Sequence, residues 1–164
     1  LTRLLDEGPA PGRDLRLHLI GELTAREQRC FRALVGRGLV IEHGAQPRPR
    51  TLAAQTEAHA LLLLTAADRP GSAPCKLFEY LGAGRPILGL TAGSFAAEII
   101  RATGTGWTVD PADRDGIAGL LRRVVGGELT LEALAPDRER IAEYSRERLV
   151  GRLDGVLRRV RAGG

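Results

Sequence analysis

Apolar positions along this chain fall into short continuous runs separated by stretches of helical spacing. Strand-like runs occur at 15–20, 40–43, 60–64, 86–90 and 106–109. Between the first two, Thr24-Ala-Arg-Glu27 has the form of a capping box, which opens a helix with Cys30, Phe31, Leu34 and Val35 on its inward face. A helix over 51–58 joins the second strand to the third. Gly93-Ser94 starts a helix carrying Ala97, Ile99, Ile100 and Ala102, and Gly104 ends it. Asp113 is the expected N-cap of the next, with Ile117, Leu120, Leu121, Val124 and Val125 turned in. The last segment, 136–161, reads as one long helix whose face is Ile141, Ser145, Leu149, Leu153, Val156 and Val160. Strand and helix in alternation predict an α/β fold: a Rossmann-like parallel sheet with helices on both faces, then a long C-terminal helix.

Composition narrows the class. At 164 residues with 43% hydrophobic and 27% charged residues, the chain is expected to form one globular domain. No apolar run is long enough to cross a membrane, and the opening Leu-Thr-Arg-Leu-Leu-Asp-Glu does not resemble a signal peptide. Methionine is absent even at position 1, so the sequence reads as a piece of something longer. Two cysteines, Cys30 and Cys75, fall in different expected helices, which fits a reduced, cytoplasmic protein. His18, His43 and His59 are scattered, with no zinc-like spacing, so no metal is expected. The net charge is +4, but every basic residue except Lys76 is arginine and no aromatics interleave them. That pattern favours a solvated Arg/Glu surface over a nucleic-acid patch. The basic, amphipathic final helix leaves two placements open: docked against protein, or peripheral at the inner face of a membrane.

Candidate chemistry concentrates between the third and fourth strands. Pro74-Cys-Lys76-Leu-Phe-Glu79-Tyr-Leu-Gly82-Ala-Gly84-Arg85-Pro86 reads as a short helix followed by a tight turn. Glu79 is an acid in the body of an otherwise apolar helix, which is costly unless something polar reaches it. In a doubly wound sheet, ligands lie outside the carboxyl ends of the strands. A carboxylate there can accept two hydrogen bonds side by side, matching a vicinal diol such as a ribose. The alternative is an ion pair with Lys76 or Arg85, and spacing alone does not choose between them. Gly93 and Ser94 suit either an anion site at a helix start or an ordinary cap. Gly82 and Gly84 follow their helix and read as its terminator.

The stretch Pro-x-Lys-Leu-Phe-Glu-Tyr-Leu-Gly-Ala-Gly-Arg-Pro-Ile resembles the C-terminal domain of GT-B glycosyltransferases of the large family-4 group. The likeness continues through Ala97-Glu98-Ile99-Ile100 and the stretch from Gly104 to Asp113, and weakly back to 17–21 and 40–44. It implies the nucleotide-sugar-binding half of a two-domain retaining enzyme, inactive without the N-terminal acceptor-binding half. By the same resemblance, Glu79 contacts the ribose of a UDP-, GDP- or ADP-sugar, and the loop Gly44-Ala45-Gln46 lines the base. Ala92, Gly93 and Ser94 lie near the donor phosphates and sugar, Lys76 reaches the phosphate region, and no metal is needed. Gly71, beside Ser72, stands where the family often has the first of two glutamates, with Asp68 the nearest acid; the basic pair that clamps the diphosphate has no counterpart before Leu15. These departures motivate an alternative, a catalytically degenerate scaffold or partner domain, and a third reading is a UDP-sugar epimerase-like domain. The final helix is expected to pack on the N-terminal domain, or to pair two copies of this chain.

Overall fold

Five short strands, each paired in parallel, alternate with seven helices among the residues that the computed structural model describes: 15–65, 71, 73–91, 93–130 and 132–162. In chain order these are β1 (Leu17–Leu19), α1 (Ala25–Gly36), β2 (Val40–Glu42), α2 (Arg48–Glu57), β3 (Leu61–Leu64), α3 (Cys75–Ala83), β4 (Ile87–Leu90), α4 (Phe95–Thr103), β5 (Gly106–Val109), α5 (Arg114–Val125), α6 (Arg138–Ala142) and α7 (Arg146–Ala162). The α/β class expected from the hydrophobic pattern is what forms. The strands divide into two groups, β1 beside β2 and β3-β4-β5, with Leu17 opposite Val40, Leu61 opposite Ile87 and Ile87 opposite Gly106.

The core belongs to the three-stranded group. Leu63, Leu77, Leu81, Ile87, Ala96, Ile99 and Ile100 form one buried cluster drawn from β3, α3, β4 and α4. Two glycines admit this close packing. A Cβ at Gly106 would collide with the Ile87 carbonyl, and one at Gly89 would lie 2.7 Å from Thr91 Oγ1 and 3.0 Å from Ile100 Cδ1. Caps set the helix ends: Thr24 and Glu27 close a reciprocal capping box on α1, Asp113 accepts from the Gly116 amide at 2.8 Å, and Gly84 and Gly104 end α3 and α4 in the left-handed conformation.

Several boundaries differ from the sequence expectation. Helix α2 begins at Arg48 instead of Thr51, because Pro49 falls in the first turn, where an N–H is not needed and a fixed φ helps. The expected helix over 136–161 is two helices, α6 and α7, joined by a turn at 143–145. Asp137 caps α6, and Ser145 caps α7 by accepting from the Arg148 amide at 3.3 Å, so Ser145 is a start signal and not a member of the apolar face. Helix α1 has no buried residue and Cys30 is exposed, so its apolar face is only half covered. In α4, Ala102 is exposed and Thr103 turns inward; the Thr103 hydroxyl donates back to the Ile99 carbonyl at 2.7 Å.

Candidate functional site

Within each strand group, parallel pairing puts the loops at the carboxyl ends of the strands side by side. The Gly21 amide after β1 donates to the Gly44 carbonyl after β2 at 2.8 Å, which brings the first two loops together. Gly44 has a positive φ of 64°, and Gln46 Nε2 donates to the His43 carbonyl at 2.7 Å, so the 44–46 segment is closed on itself before Pro47 opens α2. Ala45 lies within this tight loop.

After β4, Gly93 also has positive φ, and Ser94 is buried. The Ser94 hydroxyl donates to the Thr91 carbonyl at 2.6 Å and accepts from the Ala97 amide at 3.3 Å. Its side chain therefore serves as the N-cap of α4. Ala92, like Asp68 and Ser72, lies outside the described residues. Gly71 is exposed in a turn, and a Cβ there would meet no described atom within 4 Å.

Glu79 is the centre of the best-defined cluster. Its side chain keeps 30% of its exposure, with Oε1 3.1 Å from Arg48 Nη2 and Oε2 accepting from Gln55 Nε2 at 3.4 Å. Neither sequence-based candidate for an ion pair is the partner. Arg85 is spent on α2, its Nε donating to the Thr56 carbonyl at 2.6 Å, where a cation suits the carbonyl-rich helix end. Lys76 is exposed at the first turn of α3 and forms no ion pair among the described residues. Three contacts thus tie α2 to the α3–β4 segment: two to Glu79 and one from Arg85. Beside Glu79, burial raises the Tyr80 pKa and the Glu79 charge adds to that, so this phenol stays protonated at neutral pH. The Tyr80 hydroxyl donates over a long 3.5 Å to the Leu62 carbonyl.

The described parts of the candidate site are a partnered carboxylate on α3, a tight loop after β2 and a capped helix start after β4. In general a carboxylate with unused acceptor sites accepts hydroxyl donors, and an exposed ammonium attracts an anion. Sequence reasoning missed Arg48 and Gln55 as partners of Glu79. It also treated the histidines as scattered, whereas His18 Nδ1 lies 2.9 Å from His43 Nε2. The His18 and His43 ring planes are 14° apart with centroids at 5.2 Å, far longer than the N···N distance, so the rings meet edge to edge and share a hydrogen bond. Among the described residues, no group of three or more His, Cys, Asp or Glu is placed to hold a metal ion, and no helix is long and apolar enough to cross a membrane.

No protein-family model matches the chain, and no curated protein matches it by sequence. Solved structures do. AviGT4, a glycosyltransferase involved in avilamycin A biosynthesis, superposes with a TM-score of 0.61 at 22% identity, covering 91% of this chain and 44% of its own. The apo form of the lipopolysaccharide outer core galactosyltransferase WaaB gives 0.62 at 22% identity, over 87% of this chain and 40% of its own. WaaG, a glycosyltransferase involved in lipopolysaccharide biosynthesis, gives 0.52 at 24% identity, over 68% and 29%. The chain has the fold found in these GT-B glycosyltransferases and spans less than half the length of each.

Proposed function

We propose that this chain is the donor-binding half of a retaining glycosyltransferase that transfers a hexosyl group, and that it binds the nucleotide of a UDP-, GDP- or ADP-sugar. The observation that carries the reading is Glu79: a partly exposed carboxylate on the helix that follows β3, held in place by α2, in a fold shared with glycosyltransferases. Glu79 accepts the ribose hydroxyls, the loop Gly44–Gln46 borders the base through its backbone, and Gly93 with the start of α4 faces the diphosphate. Lys76 adds a positive charge at the start of α3, and no metal enters. Charge developing on the departing diphosphate would be stabilised by such fixed donors and dipoles. The acceptor and its binding surface belong to the other half of the protein.

Calorimetric titration with UDP, GDP and ADP tests this. One nucleotide should bind the chain, and Glu79→Ala should weaken it by at least about tenfold, the lower bound for losing a charge-assisted hydrogen bond. Circular dichroism should show the variant still folded. Binding unchanged by the substitution would sink the ribose assignment. A second reading, a degenerate scaffold that binds no nucleotide, is favoured by Gly71, which carries no side chain although a Cβ there would meet no described atom within 4 Å. Silence from all three nucleotides would support it.

A further inference from the structure

Gln55 sits in the last turn of α2 and is 9% exposed, yet its amide is only half used. Nε2 donates to Glu79 Oε2 at 3.4 Å, while Oε1 is buried with no hydrogen-bond partner. A buried acceptor without a donor destabilises the fold, so an apolar side chain of the same shape would serve packing better. Turning the amide over would set its oxygen against the carboxylate, so the charge of Glu79 fixes which end faces it.

A carboxylate has about four acceptor sites, two on each oxygen. Gln55 occupies one on Oε2 and the Arg48 guanidinium is ion-paired with Oε1, which leaves at least one on each oxygen. Arg48 is 71% exposed on its side chain, and an ion pair so open to water orients its partner weakly. Gln55 is the buried contact. We propose that Gln55 is a positioning residue for Glu79: its amide sets the plane of the carboxylate so that the remaining acceptor sites receive the vicinal hydroxyls of a nucleoside diphosphate's ribose. This rests on the donor-site reading above. It also explains how base and ribose are kept in register, since α2 leads directly out of the loop Gly44–Gln46 and carries both side chains that hold Glu79.

The test compares UDP, GDP and ADP with their 2′-deoxy counterparts on the unaltered chain, Gln55→Met, Glu79→Ala and the double variant. The unaltered chain should prefer the ribo form by at least about tenfold. Gln55→Met keeps the shape without the donor; it should bring that ratio close to one, leave residual binding of both forms, and hold or raise the thermal midpoint. In the Glu79→Ala background it should change the ratio no further, because its effect runs through the carboxylate. A ratio retained in Gln55→Met, one that falls only together with the thermal midpoint, or a further fall in the double variant would overturn the role of Gln55 alone. If no ribonucleotide binds, or Glu79→Ala leaves the ratio intact, the donor-site reading fails and takes this proposal with it.

Discussion

Thr91 shows at the scale of one residue how the end of β4 is built. Its carbonyl accepts from both the hydroxyl and the amide of Ser94, while its own Oγ1 is fully buried and has no partner. An unpaired buried hydroxyl destabilises by about 1–3 kcal/mol, more than the small change in shape on going to valine. Thr91→Val should therefore stabilise the chain by about 1 kcal/mol, raising the thermal midpoint by about 2–4 °C; a lower midpoint would show that the hydroxyl is satisfied in solution. Glu79 is the opposite case, a polar group with a partner on each of its oxygens. That an acid in an apolar helix needed company was legible in the sequence. Which company was not, because Gln55 lies 24 residues away and meets Glu79 only through the packing of α2 on α3. The His18–His43 contact was hidden for a similar reason: it appears only once the parallel register sets His18 opposite Ile41, two residues before His43 and on the same face.

Among the elements, α6 and α7 are neighbours in sequence with opposite dependence on the core. Ile141 on α6 packs against the buried cluster, as does Tyr144 in the following turn, whose ring lies 6.1 Å from that of Phe78. On α7, Leu149, Val150, Leu153, Val156, Leu157 and Val160 are all exposed, from 41% at Leu149 to 70% at Val160. Ile141→Ala should cost about 2 kcal/mol in urea unfolding, at the low end for a large-to-small change because the site is only partly buried. Leu157→Gln should stay within about 0.5 kcal/mol; a loss of 2 kcal/mol or more would mean that α7 is covered in solution. The caps of α1, α4 and α5 were readable because Thr24, Ser94 and Asp113 stand directly before apolar periodicity. The break between α6 and α7 was not, because Ile141, Leu149 and Val156 keep helical spacing across it. One cap-forming residue, Ser145, marked the break, and the periodicity outweighed it.

For the whole molecule, the division of the strands has a mechanical consequence. The buried cluster lies in β3, β4, α3 and α4, whereas α1 buries nothing fully and β1–β2 contributes Val40. Each fully buried aliphatic side chain contributes about 1.5–3 kcal/mol, so the three-stranded group holds most of the stability and β1–β2 opens more easily. The proposed donor site draws on both groups: the base loop follows β2, while Glu79 and the start of α4 belong to the three-stranded one. A nucleotide bound across them stabilises the part that opens first, since a ligand that binds only the closed form shifts the balance toward it. Hydrogen exchange should therefore find the amides of β1 and β2 faster than those of β3–β5 in the free chain. Whichever of UDP, GDP or ADP binds should slow β1, β2 and the segment 44–46 while leaving β4 nearly unchanged. Equal protection of the two groups in the free chain would contradict the uneven core. Slowing confined to α3 and α4 would mean that the nucleotide never reaches the loop after β2, and the base would then be read by some other part of the protein.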